Sequence, residues 1–333
     1  MPQIEAARGP VDTADLGRTL IHEHVFTVET EFAEYAPELA WNGTREQRID
    51  EAVQKLTDLK AQGIDTFVDM NVLGLGRSMP DILAVAERVE MNIVLATGVY
   101  PQHGLPGPIQ MRTPGRTADG KLDDILAKLF IRDITEGIAG TTVKAALIKA
   151  YTDKPGVTDV IDRCLRATAF AHRETGAPIN THSDPVAEMG LEQLRVFAEE
   201  VVDLTRVSIG HSGDTTDTTY LKKIMDQGAY VASDRFGIYF EGFPGLEARA
   251  DVIAELCRDG YADRLMLSHD THCYADYDFP GGVISRENLP HWVHSHLIEH
   301  VLPALRERGV TEDQIDQMLV ANPRRYFEQQ GAY

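Results

Sequence analysis

The chain has 333 residues and a formal net charge of −20, with 43% apolar and 25% charged side chains, a balance typical of globular proteins. Nucleic acids and anionic membranes are bound through basic surfaces, so this acidity argues against both as partners. No apolar run reaches the roughly 18 residues of a membrane span. A neutral or weakly charged small molecule is the expected partner.

The amino-terminal segment and the cysteines indicate a reduced, cytoplasmic protein. The segment MPQIEAARGP lacks the basic and apolar regions of a secretory signal peptide. Cys164, Cys257 and Cys273 are odd in number and form no C-x-x-C pair, which is typical of free thiols in a reducing compartment.

Short apolar runs alternate with amphipathic stretches along the chain. Eight runs are predicted as strands: residues 19–21, 64–70, 92–97, 143–150, 177–181, 206–210, 229–233 and 264–268. Eight strand–helix units predict a parallel, closed (β/α)8 TIM barrel, with residues 1–333 as a single domain. An open doubly wound sheet is the alternative, but the first strand is not followed by a glycine-rich G-x-G-x-x-G turn.

Several residues mark the ends of helices. Thr44 and Thr311 each stand three residues before a glutamine, the capping-box pattern that begins a helix. Thr158 precedes a long amphipathic stretch that Gly176 ends. The last helix is expected to end before the Asn322-Pro323 pair.

Three longer segments follow the carboxyl ends of predicted strands. They are residues 29–43, rich in aromatic side chains, and residues 101–121 and 274–290, rich in proline and glycine. Barrel enzymes build their sites from the loops at this end, so we expect these segments to line the site.

Four histidines and one aspartate are predicted at the same end of the barrel. His22 and His24 share one face of their strand, because side chains alternate, and the glutamate between them faces the other way. His182, His211 and Asp270 each follow another predicted strand. Imidazole and carboxylate groups that converge in this way predict a metal site.

Lys149 lies in the apolar run of the fourth predicted strand. A lysine in such surroundings is costly unless it is neutral or paired. It either extends to the surface at the strand end, or it reacts as a neutral amine with carbon dioxide to give a carbamate that could bridge two metal ions. The residues alone leave both interpretations open.

A second metal-type pattern lies near the carboxyl end. His296-Leu-Ile-Glu-His300 matches H-x-x-E-H, the inverted zinc-protease pattern. The pattern is short and falls on a predicted outer helix, far from the strand ends. An ordinary solvated helix face is therefore the favoured interpretation.

The remaining histidines receive weaker interpretations. His269 is predicted to be structural, because alternation turns it away from the aspartate that follows it. His272 and Cys273 are expected to pack around or support the site. His103 lies in a loop, and the sequence assigns it no role.

An ordered set of motifs resembles the phosphotriesterase family of the amidohydrolase superfamily. The motifs are GRTLIHEH, LIKAYTDKPGVT, PINTHS, VSIGHSGDT, SDRFG and MLSHD, and the match continues to NPRRYFE near the end of the chain. The resemblance implies a (β/α)8 barrel, a homodimer and two divalent metal ions per chain. Zinc is the expected metal, with cobalt, iron and manganese as alternatives.

The same resemblance implies a role for each matched residue. The buried ion would be held by His22, His24 and Asp270, the more exposed ion by His182 and His211, and carboxylated Lys149 would bridge the two together with a hydroxide. Asp270 would also accept the proton of the attacking hydroxide.

Two further residues resemble the substrate-side pair of the phosphotriesterase-like lactonases. These are Tyr100, which would help to place the substrate or hydroxide, and Arg235, which would orient the substrate or simply form a structural ion pair. The resemblance implies hydrolysis of N-acyl homoserine lactones or related lactones, hence quorum quenching, with phosphotriester hydrolysis as a side activity.

Other functions stay open at this point. A phosphotriesterase or a carboxylesterase could use the same site, and a metal-stabilised binding protein without turnover is a more distant alternative. The residues after Tyr100 and the eighth loop differ from the family pattern, so substrate choice is the least determined property.

Overall fold

Parallel strands form one curved sheet at the centre of the fold. The computed structural model describes residues 2–240, 242–278, 284–328 and 331–333. The strands of the sheet are β3 (Thr19–Thr27), β4 (Thr66–Asp69), β5 (Asn92–Gly98), β8 (Leu147–Tyr151), β9 (Ile179–His182), β10 (Val207–Ile209), β11 (Tyr230–Ser233), β12 (Leu265–Leu267) and β13 (His272–Ala275). Two antiparallel hairpins lie outside it: β1 (Gln3–Ala6) with β2 (Gly9–Asp12), and β6 (Gly115–Arg116) with β7 (Leu122–Asp123).

The order of the strands shows how the barrel closes. Neighbours in the sheet follow the order β12-β11-β10-β9-β8-β5-β4-β3-β13, and their pairings are parallel. Only residues 268–271 separate β12 from β13 in the chain, so the two short strands occupy the eighth position together. β12 pairs with β11 and β13 pairs with β3, which joins the two edges of the sheet. The predicted (β/α)8 barrel is confirmed.

The bounds of several strands differ from the predicted ones: the fourth, for example, begins at Leu147 and not at residue 143. Two of the differences affect the site. The first strand extends to Thr27, beyond the apolar run that ended at Ile21, so His22 and His24 lie within β3, as their predicted alternation requires. The eighth is interrupted where Asp270 adopts a φ of 56°, a left-handed conformation that a regular strand does not accommodate. Pairing resumes at β13, which the sequence pattern did not indicate.

Helices cover the outside of the sheet. They are α1 (Thr30–Tyr35), α2 (Pro37–Ala40), α3 (Arg45–Ala61), α4 (Met79–Ala86), α5 (Gly107–Gln110), α6 (Ile125–Thr135), α7 (Asp159–Thr175), α8 (Met189–Glu199), α9 (Thr218–Met225), α10 (Leu246–Arg258), α11 (Leu302–Glu307), α12 (Glu312–Asp316) and α13 (Asn322–Phe327). Among the helices of the described residues, none is long and apolar enough to cross a membrane.

The predicted helix ends are largely confirmed. Thr44 and Thr311 form complete capping boxes, and Thr158 caps α7, which ends at Gly176 in the left-handed conformation. The prediction that the last helix ends before Asn322 is wrong. A π-helical turn, Gln317–Ala321, carries the chain without a break from α12 into α13, and Pro323 stands at the second position of α13.

Apolar side chains fill the barrel interior and the layer beneath the helices. Six strands contribute to one interior cluster through Ile21, Val68, Val94, Leu147, Tyr230 and Met266. Tyr326 and Phe327 of α13 belong to the same cluster. With the interior filled by these side chains, polar groups are left for the carboxyl ends of the strands.

Candidate metal centre

The residues predicted to form the site meet at the carboxyl-terminal mouth of the barrel. A cavity of ≈ 710 Å³ there is lined by His24, Tyr100, Lys149, His182, Arg235 and Asp270, among others. Each comes from a different strand or the loop after it, and parallel strands bring all these ends to one rim.

Three predicted ligands converge on one point. Asp270 Oδ1 lies 3.0 Å from His24 Nε2 and 3.4 Å from His22 Nε2. The ligand atoms of the three residues lie within 4.8 Å of one another. His24 is oriented from behind by a short contact between its Nδ1 and the side-chain oxygen of Asn71. This arrangement leaves Nε2 of both imidazoles directed at the carboxylate.

Lys149 reaches the same point from β8. Its Nζ lies 2.8 Å from His22 Nε2, and the side chain is buried. Burial lowers the pKa of Lys149 to about 8, because an ammonium group loses its hydration there. The side chain therefore does not extend to the surface at the strand end. This excludes the simpler of the two interpretations that the sequence left open.

Asp234 connects two of the histidines from behind. Its Oδ1 is 3.0 Å from His211 Nδ1 and its Oδ2 is 2.9 Å from His22 Nδ1. Burial opposes ionisation of Asp234, but the two imidazoles outweigh it and hold the pKa of the carboxyl below its ordinary value. One carboxylate thus faces the Nδ1 atoms of both rings, which leaves the two Nε2 atoms free to face the mouth.

His182 approaches the centre from β9 through ring contacts. Its ring centroid lies 4.4 Å from that of His211 and 5.4 Å from that of Tyr100. Its Nε2 is directed at Asp153, 3.4 Å away. Burial lowers the pKa of His182 to about 4, so the ring is neutral. The structure thus brings the predicted second pair of histidines together, although His182 faces Asp153 rather than Asp270.

A chain of alternating charges leads away from Asp270. Arg235 Nε donates to Asp270 Oδ2 at 3.1 Å, and its Nη1 donates to Asp214 at 3.2 Å. Asp214 in turn lies 2.6 Å from the buried Arg249. Burial acts to raise the pKa of Asp270, but His211, His22 and the other neighbours hold it well below its ordinary value. Asp270 is therefore ionised.

Glu23 supports the loop that carries Asp270. Its Oε1 accepts hydrogen bonds from the His269 amide at 2.8 Å, His269 Nδ1 at 2.8 Å and the Ser268 hydroxyl at 2.7 Å. Its Oε2 accepts from the Thr271 amide at 3.0 Å. The carboxylate is completely buried and holds the backbone on both sides of Asp270.

The outer wall of the cavity is largely apolar. The residues that give it this character are Leu75, Ile238, Phe240, Phe243, Leu289 and Trp292. The loop with Ile238 is fixed by Arg249, which donates to the carbonyl oxygens of Arg235, Ile238 and Pro244. Predicted segment 274–290 contributes to this wall, although its residues 279–283 lie outside the described residues.

Comparison with known proteins identifies the family. The model of the phosphotriesterase family matches residues 2–327. The chain belongs to the phosphotriesterase family. It is 47% identical over 333 residues to a phosphotriesterase homology protein of Mycobacterium tuberculosis, with 100% of both chains covered. It is 36% identical over 317 residues to an aryldialkylphosphatase of Saccharolobus solfataricus, with 95% of this chain and 96% of the relative covered.

A solved structure supports the same conclusion. The structure of the phosphotriesterase from Mycobacterium tuberculosis matches with a TM-score of 0.93 and 46% identity, and 100% of each chain is covered. Like other phosphotriesterase-family members, this protein is a metal-dependent hydrolase, and the family uses a binuclear divalent metal centre.

The side chains at the mouth fit such a centre. The Nε2 atoms of His22 and His24 share Asp270 Oδ1 as their neighbour, while His211 Nε2 is buried and has no hydrogen-bond partner among the described residues. Neutral imidazoles and an ionised carboxylate are ligands that divalent transition metals accept.

Three other histidines named in the sequence analysis lie outside this set of ligands. His269 is structural, as predicted, since its Nδ1 binds Glu23 and its Nε2 accepts the Leu297 amide at 3.0 Å. His272 is buried and its Nε2 lies 3.1 Å from Asp278 Oδ2, a contact that the sequence did not predict. His103 is exposed in the loop after β5.

Four carboxylates and one amide of the site were not found from the sequence. These are Glu23, Asp153, Asp214, Asp234 and Asn71. Asp214 and Asp234 stand inside the motifs VSIGHSGDT and SDRFG, so their position after β10 and β11 was a usable signal. Glu23 was correctly turned away from the metal face, but no pattern indicated what it would meet there.

Proposed function

We propose that this phosphotriesterase-family protein is a lactonase that hydrolyses N-acyl homoserine lactones or related lactones, and thereby acts in quorum quenching. The observation that carries the proposal is the form of the cavity. Metal-binding side chains lie at its base, Tyr100 and Arg235 lie beside them, and an apolar wall stands above. A ring ester with an acyl tail matches this division into a polar base and an apolar wall.

The metal centre is part of the proposal. His22, His24 and Asp270 would hold one ion, His182 and His211 the other, and carboxylated Lys149 would join them. The unprotonated amine of Lys149 forms a bond to the carbon of carbon dioxide and releases one proton, which gives the carbamate. When bound, two divalent cations, zinc by expectation, supply Lewis acidity and lower the pKa of water.

The chain's own residues would complete the reaction. Asp270, held ionised, accepts the proton of the attacking water and passes it to the alkoxide that leaves when the ring opens. Arg235 cannot relay this proton, because a guanidinium does not lose its own. Arg235 instead orients Asp270, and with Tyr100 it positions the lactone ring.

Relative rates on three ester classes test this proposal. We expect kcat/KM for N-acyl homoserine lactones to exceed that for paraoxon at least 100-fold, and the rate to increase with acyl length because the wall is apolar. In a Phe240→Ala variant, the ratio of kcat/KM for lactones to kcat/KM for paraoxon should fall only for lactones with long acyl chains. A preference for paraoxon or for an aryl acetate would contradict the proposal.

Phosphotriester hydrolysis is the second candidate. A relative named aryldialkylphosphatase, 36% identical over nearly the whole chain, favours it. Attack on phosphorus also gains from a polarised oxygen, so the same side chains serve both reactions. The substrate comparison above decides between them.

Assembly and location are also proposals. We infer a homodimer, which is supported by exposed apolar side chains on α1 and α2: Phe32, Tyr35 and Leu39 are 42%, 90% and 65% exposed. Light scattering should give twice the chain mass, and Tyr35→Glu should reduce it if this surface is the interface. Three buried free thiols support a cytoplasmic location.

A further inference from the structure

Three histidines form a cluster outside the barrel mouth. The ring centroid of His296 lies 5.4 Å from that of His291 and 5.0 Å from that of His300, and the third separation is 6.3 Å. None of the three lines the cavity. His296 immediately precedes the π-helical segment Leu297–Val301, His300 lies within it, and His291 comes earlier in the chain.

The ring centroids are spaced much like those of ligands around one ion, but the nitrogens have yet to turn inward: among the described residues, the groups whose ligand atoms lie within 4.8 Å of one another are those at the barrel mouth. An imidazole nitrogen binds zinc at about 2.0–2.1 Å, so rings on a tetrahedral ion have centroids roughly 5 Å apart. Two of the three separations meet this value, and the third exceeds it by about 1 Å. His291 and His300 are exposed, so they can rotate to turn their nitrogens inward.

His296 is oriented as a ligand of this kind would be. Its side chain is 2% exposed, and its Nε2 lies 2.8 Å from the Tyr239 hydroxyl. Its Nδ1 has no hydrogen-bond partner among the described residues. When Nε2–H donates to the tyrosine, Nδ1 presents a lone pair, the tautomer that metal-binding histidines use.

We propose that His291, His296 and His300 bind one further divalent transition-metal ion, of the zinc class, at a site separate from the barrel centre. The H-x-x-E-H pattern is then a metal-binding feature separate from the cavity at the barrel mouth, which none of the three histidines lines. The ion would connect His291, just before Trp292 of the cavity wall, to His296 and His300 after it. His296 in turn bonds to Tyr239, which lies between Ile238 and Phe240 of that wall.

Metal counting on the purified holoenzyme tests the proposal. The wild type, incubated with zinc and desalted, should retain one more ion per chain than His300→Ala or His291→Ala. Tyr239→Phe should retain the ion but weaken its binding about tenfold, because only the orienting bond is lost. His103→Ala, an exposed histidine elsewhere, should match the wild type.

Two results would overturn the proposal. The first is an equal metal count in the wild type, His291→Ala and His300→Ala. The second is a loss of more than one ion per chain in either variant, because the proposed site holds a single ion. A zinc-dependent rise in Tm that His291→Ala abolishes, without a change in circular dichroism, would support the site independently of metal counting.

Discussion

Glu23 Oε1 accepts the amide of His269 at 2.8 Å, although the two residues are 246 positions apart in the chain. This bond and the Thr271 amide bond to Oε2 fix the backbone on both sides of Asp270. The position of Asp270, the proposed proton acceptor, is thus set by Glu23, whose buried carboxylate lies on the face of β3 opposite to His22 and His24.

Replacing Glu23 by glutamine should lower activity without removing the metal. The nitrogen of the introduced carboxamide cannot accept a hydrogen bond, so one of the two flanking backbone amides loses its partner. We expect kcat to fall about 10- to 100-fold with little change in KM, which is the size of effect that supporting residues have in metal sites. Glu90→Gln, on the surface, is the control. An unchanged kcat would show that Glu23 does not position Asp270.

Replacing Asp270 by asparagine should separate metal binding from proton transfer. The amide retains one oxygen ligand but cannot accept the proton, so we expect much of the metal to remain while kcat falls about 10²- to 10⁴-fold. Metal analysis and steady-state kinetics on the same preparation measure both. Full activity in this variant would exclude the proton role.

Replacing Lys149 by alanine should remove the metal pair. The bridge would be lost, and added short carboxylates such as acetate or propionate should restore part of the metal and activity, because they can occupy the space left by the side chain. Lys144→Ala, which removes a partly exposed lysine near the same strand, should behave as the wild type. Two ions per chain in Lys149→Ala without added carboxylate would show that no such bridge exists.

The buried His172 should make stability depend on pH. Its Nδ1 lies 2.7 Å from the Ala177 carbonyl oxygen and its Nε2 lies 2.8 Å from the Tyr333 hydroxyl, so the neutral ring is satisfied on both sides. Burial lowers the pKa of His172 below its ordinary value of 6.5. Below that value the unfolded chain binds more protons than the folded one, and the free energy of unfolding should therefore fall as the pH falls through 6.5.

Urea unfolding at pH 7 and at a pH near 5 measures this effect. His172→Gln should show a smaller loss of stability between the two pH values than the wild type does. His103→Gln, which removes an exposed histidine, should reproduce the wild-type difference. An identical pH dependence in all three proteins would contradict the assignment to His172.

Much of the architecture was predictable from the sequence. The alternation of apolar runs with capped helices, marked by Thr44, Thr158 and Gly176, depends on local backbone preferences and on helix and strand periods, which are readable in short windows. Parallel strands of one barrel end at a common rim. For that reason, histidines placed after separate strands could be predicted to meet.

What the sequence determined by itself was therefore the barrel, its helix ends and the set of side chains at its mouth. Only the tertiary structure decided that Asp234 stands behind both His22 and His211, that Glu23 holds the Asp270 loop, and that Tyr239 meets His296. The physical reason is that these contacts join residues from different strands and loops. Such contacts depend on how side chains pack in three dimensions, and packing leaves no period along the chain.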